Sequence, residues 1–151
     1  MSTAEHIKTI LTEQVVAYRG LLDILQRERE SLIRFNTSDV EKLSKEKDTV
    51  VLKLRLLEEE RIRLVRAYAS GEAIPEEEAF RKLNETAGDD SFQRLRLQLI
   101  SLLQSITELN GFNRILIERS AGVVKNALNF LSSFGVAAPQ SNKGALLSRE
   151  A

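Results

Sequence analysis

The chain has 151 residues, with 22 Lys+Arg balancing 22 Asp+Glu, two Pro, seven Gly, one His and neither Cys nor Trp. Formal neutrality argues against a surface built for nucleic-acid phosphates or anionic lipid. The lack of Cys excludes a disulfide framework, and the solitary His6 excludes a His/Cys metal cluster. No stretch approaches the roughly 18 apolar residues of a spanning helix, and the opening MSTAEHIK lacks an apolar signal segment. A cytoplasmic chain without membrane insertion is therefore expected, and few prolines and aromatics point to helices.

The first helix is expected over about residues 4–35. Leu11, Val15, Tyr18, Leu22, Leu25, Arg29 and Leu32 recur at alternating steps of four and three, the heptad seam. Ser2 with Glu5 has capping-box spacing, and Ser38 with Glu41 repeats it after Asn36 and Thr37. The second helix is placed at about 38–70, after a connection short enough to demand an antiparallel return. Its seam runs through Val40, Leu43, Lys47, Val50, Leu54, Leu57, Arg61, Leu64 and Tyr68, with Gly71 as the stop.

Lys47 and Arg61 place cations on that seam. A buried anion site or catalytic pair is one reading; the other is that their stems cover core surface while the heads reach water or a neighbouring Glu. The second is preferred, since seam charges usually set register.

Residues 71–89 form an acidic linker. Pro75 followed by Glu76, Glu77 and Glu78 suits the first turn of a short helix, where the helix dipole favours carboxylates. The acids lack the ligand pattern of a calcium loop, so no metal is assigned and a solvated connector is expected. The third long helix is expected over about 90–134. Its seam runs from Phe92 through Leu95, Leu99, Leu102, Ile106, Leu109, Asn113, Leu116, Ser120, Val123, Ala127 and Phe130 to Phe134. The seam passes through Gly111 in register, so the helix is read as continuous, with Gly111 marking a close helix approach or a bend. Asn110 and Asn113, three apart on one face, are read as polar residues that fix register.

The expected fold is all-α: an antiparallel bundle of three long helices with coiled-coil-like packing and a short acidic helical linker between the second and third. Residues 1–135 make one domain and residues 136–151 a flexible tail. The third long helix outruns the others by about 12 residues, roughly 18 Å. The overhang is apolar: Val123, Val124, Ala127, Leu128, Phe130, Leu131 and Phe134 form a broad face. Such a face needs a cover, either a second copy of the chain or an amphipathic segment of another protein. No nucleophile–base pair and no cofactor motif is evident, so no catalytic residue is assigned and an enzyme is disfavoured.

Leu21-Leu22-x-x-Leu25-x-x-Glu28-x-x-x-Leu32, followed by Asp39, Leu43 and Lys47 and by Leu54-x-x-Leu57-Glu58-x-x-Arg61, resembles the N-terminal helical pair of the FlgN family of flagellar export chaperones. Leu109-Asn110-x-x-Asn113-x-x-Leu116-Ile117 resembles that family's Asn-rich signature in its long third helix. The resemblance covers roughly residues 10–135. It implies a cytoplasmic chaperone of flagellar type III export that uses its C-terminal part to bind the C-terminal segments of the two hook–filament junction proteins. It implies further contact with the export gate and its ATPase complex. Family tails carry a Tyr-Gly-type step associated with gate docking; the nearest match here is Phe134-Gly135, which lacks the hydroxyl. A homo-oligomeric coiled-coil scaffold, pairing as a homodimer when free, is the alternative.

Overall fold

The computed structural model describes residues 2–69 and 75–133. Among these there are four α-helices and no strand: α1 Thr3–Ile33, α2 Thr37–Tyr68, α3 Glu76–Ala87 and α4 Ser91–Ser133. The proposed stop at Gly71, the Phe134-Gly135 step and the tail 136–151 lie outside the described residues. The chain divides into two compact units, Met1–Leu22 with Thr49–Ile106 and Asp23–Asp48 with Thr107–Ala151.

In the first unit, α1 opens on the capping box read from the sequence. The Ser2 amide donates to Glu5 Oε2 at 2.8 Å and the Glu5 amide to Ser2 Oγ at 3.2 Å. These bonds with Ser2 hold the Glu5 carboxyl below its ordinary range. The core gathers residues from every helix: Ile7 and Leu11 of α1, Leu64 of α2, Phe80 and Leu83 of α3, and Phe92 of α4.

This corrects the reading of residues 71–89 as a solvated connector. The acids of α3 coexist with a buried face of Ala79, Phe80 and Leu83. Positions i, i+1 and i+4 share one side of a helix, so one turn suffices to insert them into the core. α3 ends at Gly88, whose φ of 73° is left-handed and whose amide donates to the Asn84 carbonyl at 3.0 Å. The next start is satisfied locally. Asp89 Oδ1 accepts the Ser91 amide at 2.9 Å and Asn84 Oδ1 accepts the Gln93 amide at 3.1 Å.

In the second unit, α1 and α2 form a tight antiparallel hairpin. Arg27 pairs with Glu46, Glu28 with Lys47, and Leu32 with Val40 across it. The N-cap of α2 lies two residues earlier than expected: Asn36, not Ser38, caps α2. Asn36 Oδ1 accepts the Asp39 amide at 3.1 Å, and its Nδ2 donates to Asp39 Oδ2 at 2.9 Å. Asn is among the strongest N-caps, and it serves both the third amide of the helix and the carboxylate beside it. α4 runs parallel to α1 in this unit, since Asn113 meets Leu25 and Glu28 while Ile117 meets Leu32.

The buried stripe of α1 also differs from the expected seam. Leu11, Val15, Leu25 and Leu32 of that seam are buried, Tyr18, Leu22 and Arg29 only partly so, and Ile7, Gln14, Leu21 and Glu28 are buried beside them. The stripe keeps heptad steps but passes through two polar residues, Gln14 and Glu28. At Gly111 an added Cβ would meet nothing within 4 Å, so this glycine marks no close helix approach.

Candidate functional site

Near the α1–α2 turn α4 is buried at Asn113, Ile117 and Ser120, whereas its residues from Gln93 to Phe112 are partly buried or exposed. Ile117 packs with Leu32 and Val40, which flank the α1–α2 turn, and Ser120 lies one turn further on and is still buried. No described residue after Ser120 is buried. α4 nevertheless continues to Ser133, about 20 Å of helix beyond that point.

Six of the seven residues singled out from the sequence fall on this extension. Val123 is 55% exposed, Phe130 63% and Leu131 42%. Ala127 is exposed, and Val124 and Leu128 are half-buried. Phe134 lies outside the described residues. Their spacing carries the covered stripe onward: Asn113, Ile117 and Ser120 are succeeded by Val124, Ala127 and Leu131 at three-four steps. Val123 and Phe130 widen the face to one side.

The four polar residues assigned to register are placed as follows. Lys47 and Glu28, 3% and 1% exposed, meet at 3.1 Å between Nζ and Oε2. Asn113, 1% exposed, donates from Nδ2 to the Leu25 carbonyl at 2.9 Å and to Glu28 Oε1 at 3.0 Å. A carboxylate, an ammonium and a carboxamide thus tie the three long helices together in this unit. Asn110 is half-buried on the adjacent turn.

Arg61 belongs to the first unit and grips Glu58 of its own helix in a fork, Nε to Oε2 at 2.9 Å and Nη2 to Oε1 at 2.6 Å. Gln14 of α1 adds a bond to the same carboxylate at 2.9 Å. The Arg61 bonds, with help from Gln14, hold the Glu58 carboxyl below its ordinary range, while burial pushes the neighbouring Tyr18 phenol up. These groups line a recess of about 170 Å³ whose other wall is Leu99, Ile100 and Leu103. Arg96 also lines this recess, and the two seam cations, Lys47 and Arg61, are each paired with a glutamate of the chain.

Sequence reading found Lys47 and Asn113 because polar side chains on an apolar seam stand out. It missed Gln14 and Glu28 as interior residues, because the expected seam ran through their neighbours Val15, which is also buried, and Arg29. Among the described residues, no group of three or more His, Cys, Asp or Glu could hold a metal ion, and no helix is long and apolar enough to cross a membrane.

The chain is therefore an all-α protein of long paired helices whose longest member leaves an apolar face open at one end. Its residues 1–137 match the family model described as FlgN protein, and the chain belongs to the FlgN family, a family of flagellar export chaperones serving type III secretion. No curated protein and no solved structure matches it.

Proposed function

We propose that this protein is a cytoplasmic export chaperone that binds the C-terminal hydrophobic segments of hook–filament junction proteins along α4 beyond Ser120. It keeps those segments from assembling early and hands them to the export gate. The observation that carries this reading is that no described residue after Ser120 is buried, and that Val123, Phe130 and Leu131 are exposed on a helix that runs on to Ser133. Apolar faces of this kind on a folded chain mark binding surfaces, and an amphipathic helix seats on such a face through i, i+3, i+4 and i+7 anchors. Chaperone family membership supports the class of the function; the identity of the client and the delivery step are the proposal.

The test is binding of peptides from the junction-protein C-termini to the full chain and to Val123→Asp and Leu131→Asp variants. Burying an aliphatic side chain contributes about 1.5–3 kcal/mol, so each substitution should weaken binding by roughly tenfold or more while leaving helicity intact. Unchanged affinity in both variants refutes the site. Sedimentation over a concentration series weighs the scaffold alternative: a stable oligomer that client peptide does not dissociate would replace the chaperone reading.

A further inference from the structure

The turn joining α1 and α2 has a costly feature that the helices themselves do not require. α1 closes in a Schellman arrangement, with the Asn36 amide donating to the Ser31 carbonyl at 2.9 Å and the Phe35 amide to the Leu32 carbonyl at 3.2 Å. The residue that must take the left-handed conformation in such a closure is normally glycine. Here it is Phe35, at φ 56°, and Phe35 is the sole described non-glycine residue with positive φ. A bulky side chain there is an outlier. Its ring gains little in return, since Phe35 is 55% exposed and the nearby Ile33 is 58% exposed. A strained backbone holding an aromatic ring in solvent points to function.

The location is specific. Leu32 and Val40, on either side of this turn, are the residues that cover Ile117. Ile33 and Phe35 belong to the same turn, next in sequence to the residue that packs on Ile117 and within reach of the part of α4 where burial ends. We infer that the hairpin tip, through Phe35 and Ile33, is the second wall of the client site and receives one end of the amphipathic helix lying along Val124, Ala127 and Leu131. This deepens the proposed function and rests on it.

The occupant is specified by the packing it must complete. The two helices of the hairpin pack on α4 at Asn113 and Ile117, and from Ser120 to Ser133 a helix of about 20 Å, or 13 residues, would continue that packing. From Gly111 to Ser133 the side chains Arg114, Arg119 and Lys125 outnumber Glu118. The complementary segment is thus an apolar-striped helix flanked by acidic residues.

The test uses the full chain and a fluorescein-labelled peptide carrying the C-terminal segment of a junction protein. Phe35→Asn and Phe35→Gly both suit the left-handed conformation. Each should weaken peptide binding on the order of tenfold while the melting temperature holds or rises by about 2–4 °C. Val16→Asn, at an equally exposed apolar residue of the other unit, should change neither. Unchanged affinity in the Phe35 variants, with Leu131→Asp still weakening binding, overturns the tip and leaves the α4 site standing. If Leu131→Asp also fails to weaken binding, the α4 site falls with it. A melting temperature lowered by several degrees in both Phe35 variants makes the ring a structural element and overturns the inference. So does a change in the mass of the free protein on Phe35 substitution without effect on peptide affinity, which assigns the tip to self-association.

Discussion

Replacing Lys47 by Met isolates the buried charge, because Met keeps most of the stem volume and removes only the ammonium. Lys47 Nζ lies 3.1 Å from Glu28 Oε2, with the two side chains 4% and 2% exposed. At that separation and an effective dielectric near 20, the attraction is roughly 5 kcal/mol. Desolvating the two ions costs several kcal/mol each, so the pair contributes little net stability relative to apolar residues. Removing one partner is different. Glu28 would keep a bond from Asn113 Nδ2, yet remain a buried carboxylate without its cation. Such losses run to about 3–5 kcal/mol, a large part of the roughly 5–15 kcal/mol available to a domain. Urea unfolding followed by circular dichroism at pH 7 should show that loss in Lys47→Met. The double variant Glu28→Gln with Lys47→Met should lose about 2 kcal/mol or less, because the introduced carboxamide can still accept from Asn113 and no charge is stranded. A Lys47→Met cost below about 1 kcal/mol, or a double variant as damaging as the two singles added together, would refute the reasoning.

Three further outcomes are expected. Leu83→Ala in α3 should cost about 2–5 kcal/mol in the same unfolding assay, since Leu83 is 1% exposed in the core; a loss within about 0.5 kcal/mol would return α3 to the role of a connector. Gly111→Ala should stabilise by roughly 1 kcal/mol, because it raises helix propensity where a Cβ meets nothing; destabilisation would mean that the helix needs the bend a glycine permits. The Glu58 carboxyl, lowered chiefly by its bonds from Arg61, binds fewer protons folded than unfolded. Its contribution is therefore full above the ordinary glutamate value of about 4.3 and lost as pH falls through the lowered folded value. The Glu58 side chain is 42% exposed, so solvent screening keeps this contribution below about 1 kcal/mol. Stability curves of the wild type and Arg61→Met should accordingly differ modestly at pH 7 and converge as pH falls through the lowered folded value; a gap independent of pH would contradict the assignment.

The long helices were legible because their physical requirement is periodic. A helix that buries one stripe must repeat apolar residues at steps of three and four, and Val40 to Tyr68 does so without a slip. The extension of α4 was legible by subtraction, as apolar residues continuing where the partners were too short. What escaped depends on inter-helix register, which no single segment encodes. Glu28 is one of 22 acids, and only the pairing of α1 with α2 sets it opposite Lys47. Phe80 and Leu83 were hidden by composition, since Glu76, Glu77 and Glu78 made the segment look solvated although one helical turn separates the two faces. Ser38 with Glu41 satisfied a spacing rule that Asn36 with Asp39 satisfied better, and the more favourable cap took the helix start. The left-handed Phe35 carried no sequence signal, because helix closures are sought at glycine or asparagine.

The buried triad and the open stripe are linked by the degeneracy of the heptad. On a seam made only of Leu, Ile and Val, sliding α4 by seven residues along the hairpin would replace each contact by a similar one. The slip would move the helix by about 10 Å and change how much of the stripe beyond Ser120 lies open. Asn113 removes that freedom. Its Nδ2 finds two acceptors only opposite Leu25 and Glu28, and seven residues away the side chains that would replace it are Ile106 and Ser120, neither of which can donate twice. A slipped helix would leave Glu28 short of a donor in the interior and bury the carboxamide elsewhere without partners, at about 1–3 kcal/mol for each polar group left unsatisfied. The interior polar groups are therefore best understood as fixing the length of α4 that projects past the hairpin. In the proposed binding mode, that length sets the size of the segment held.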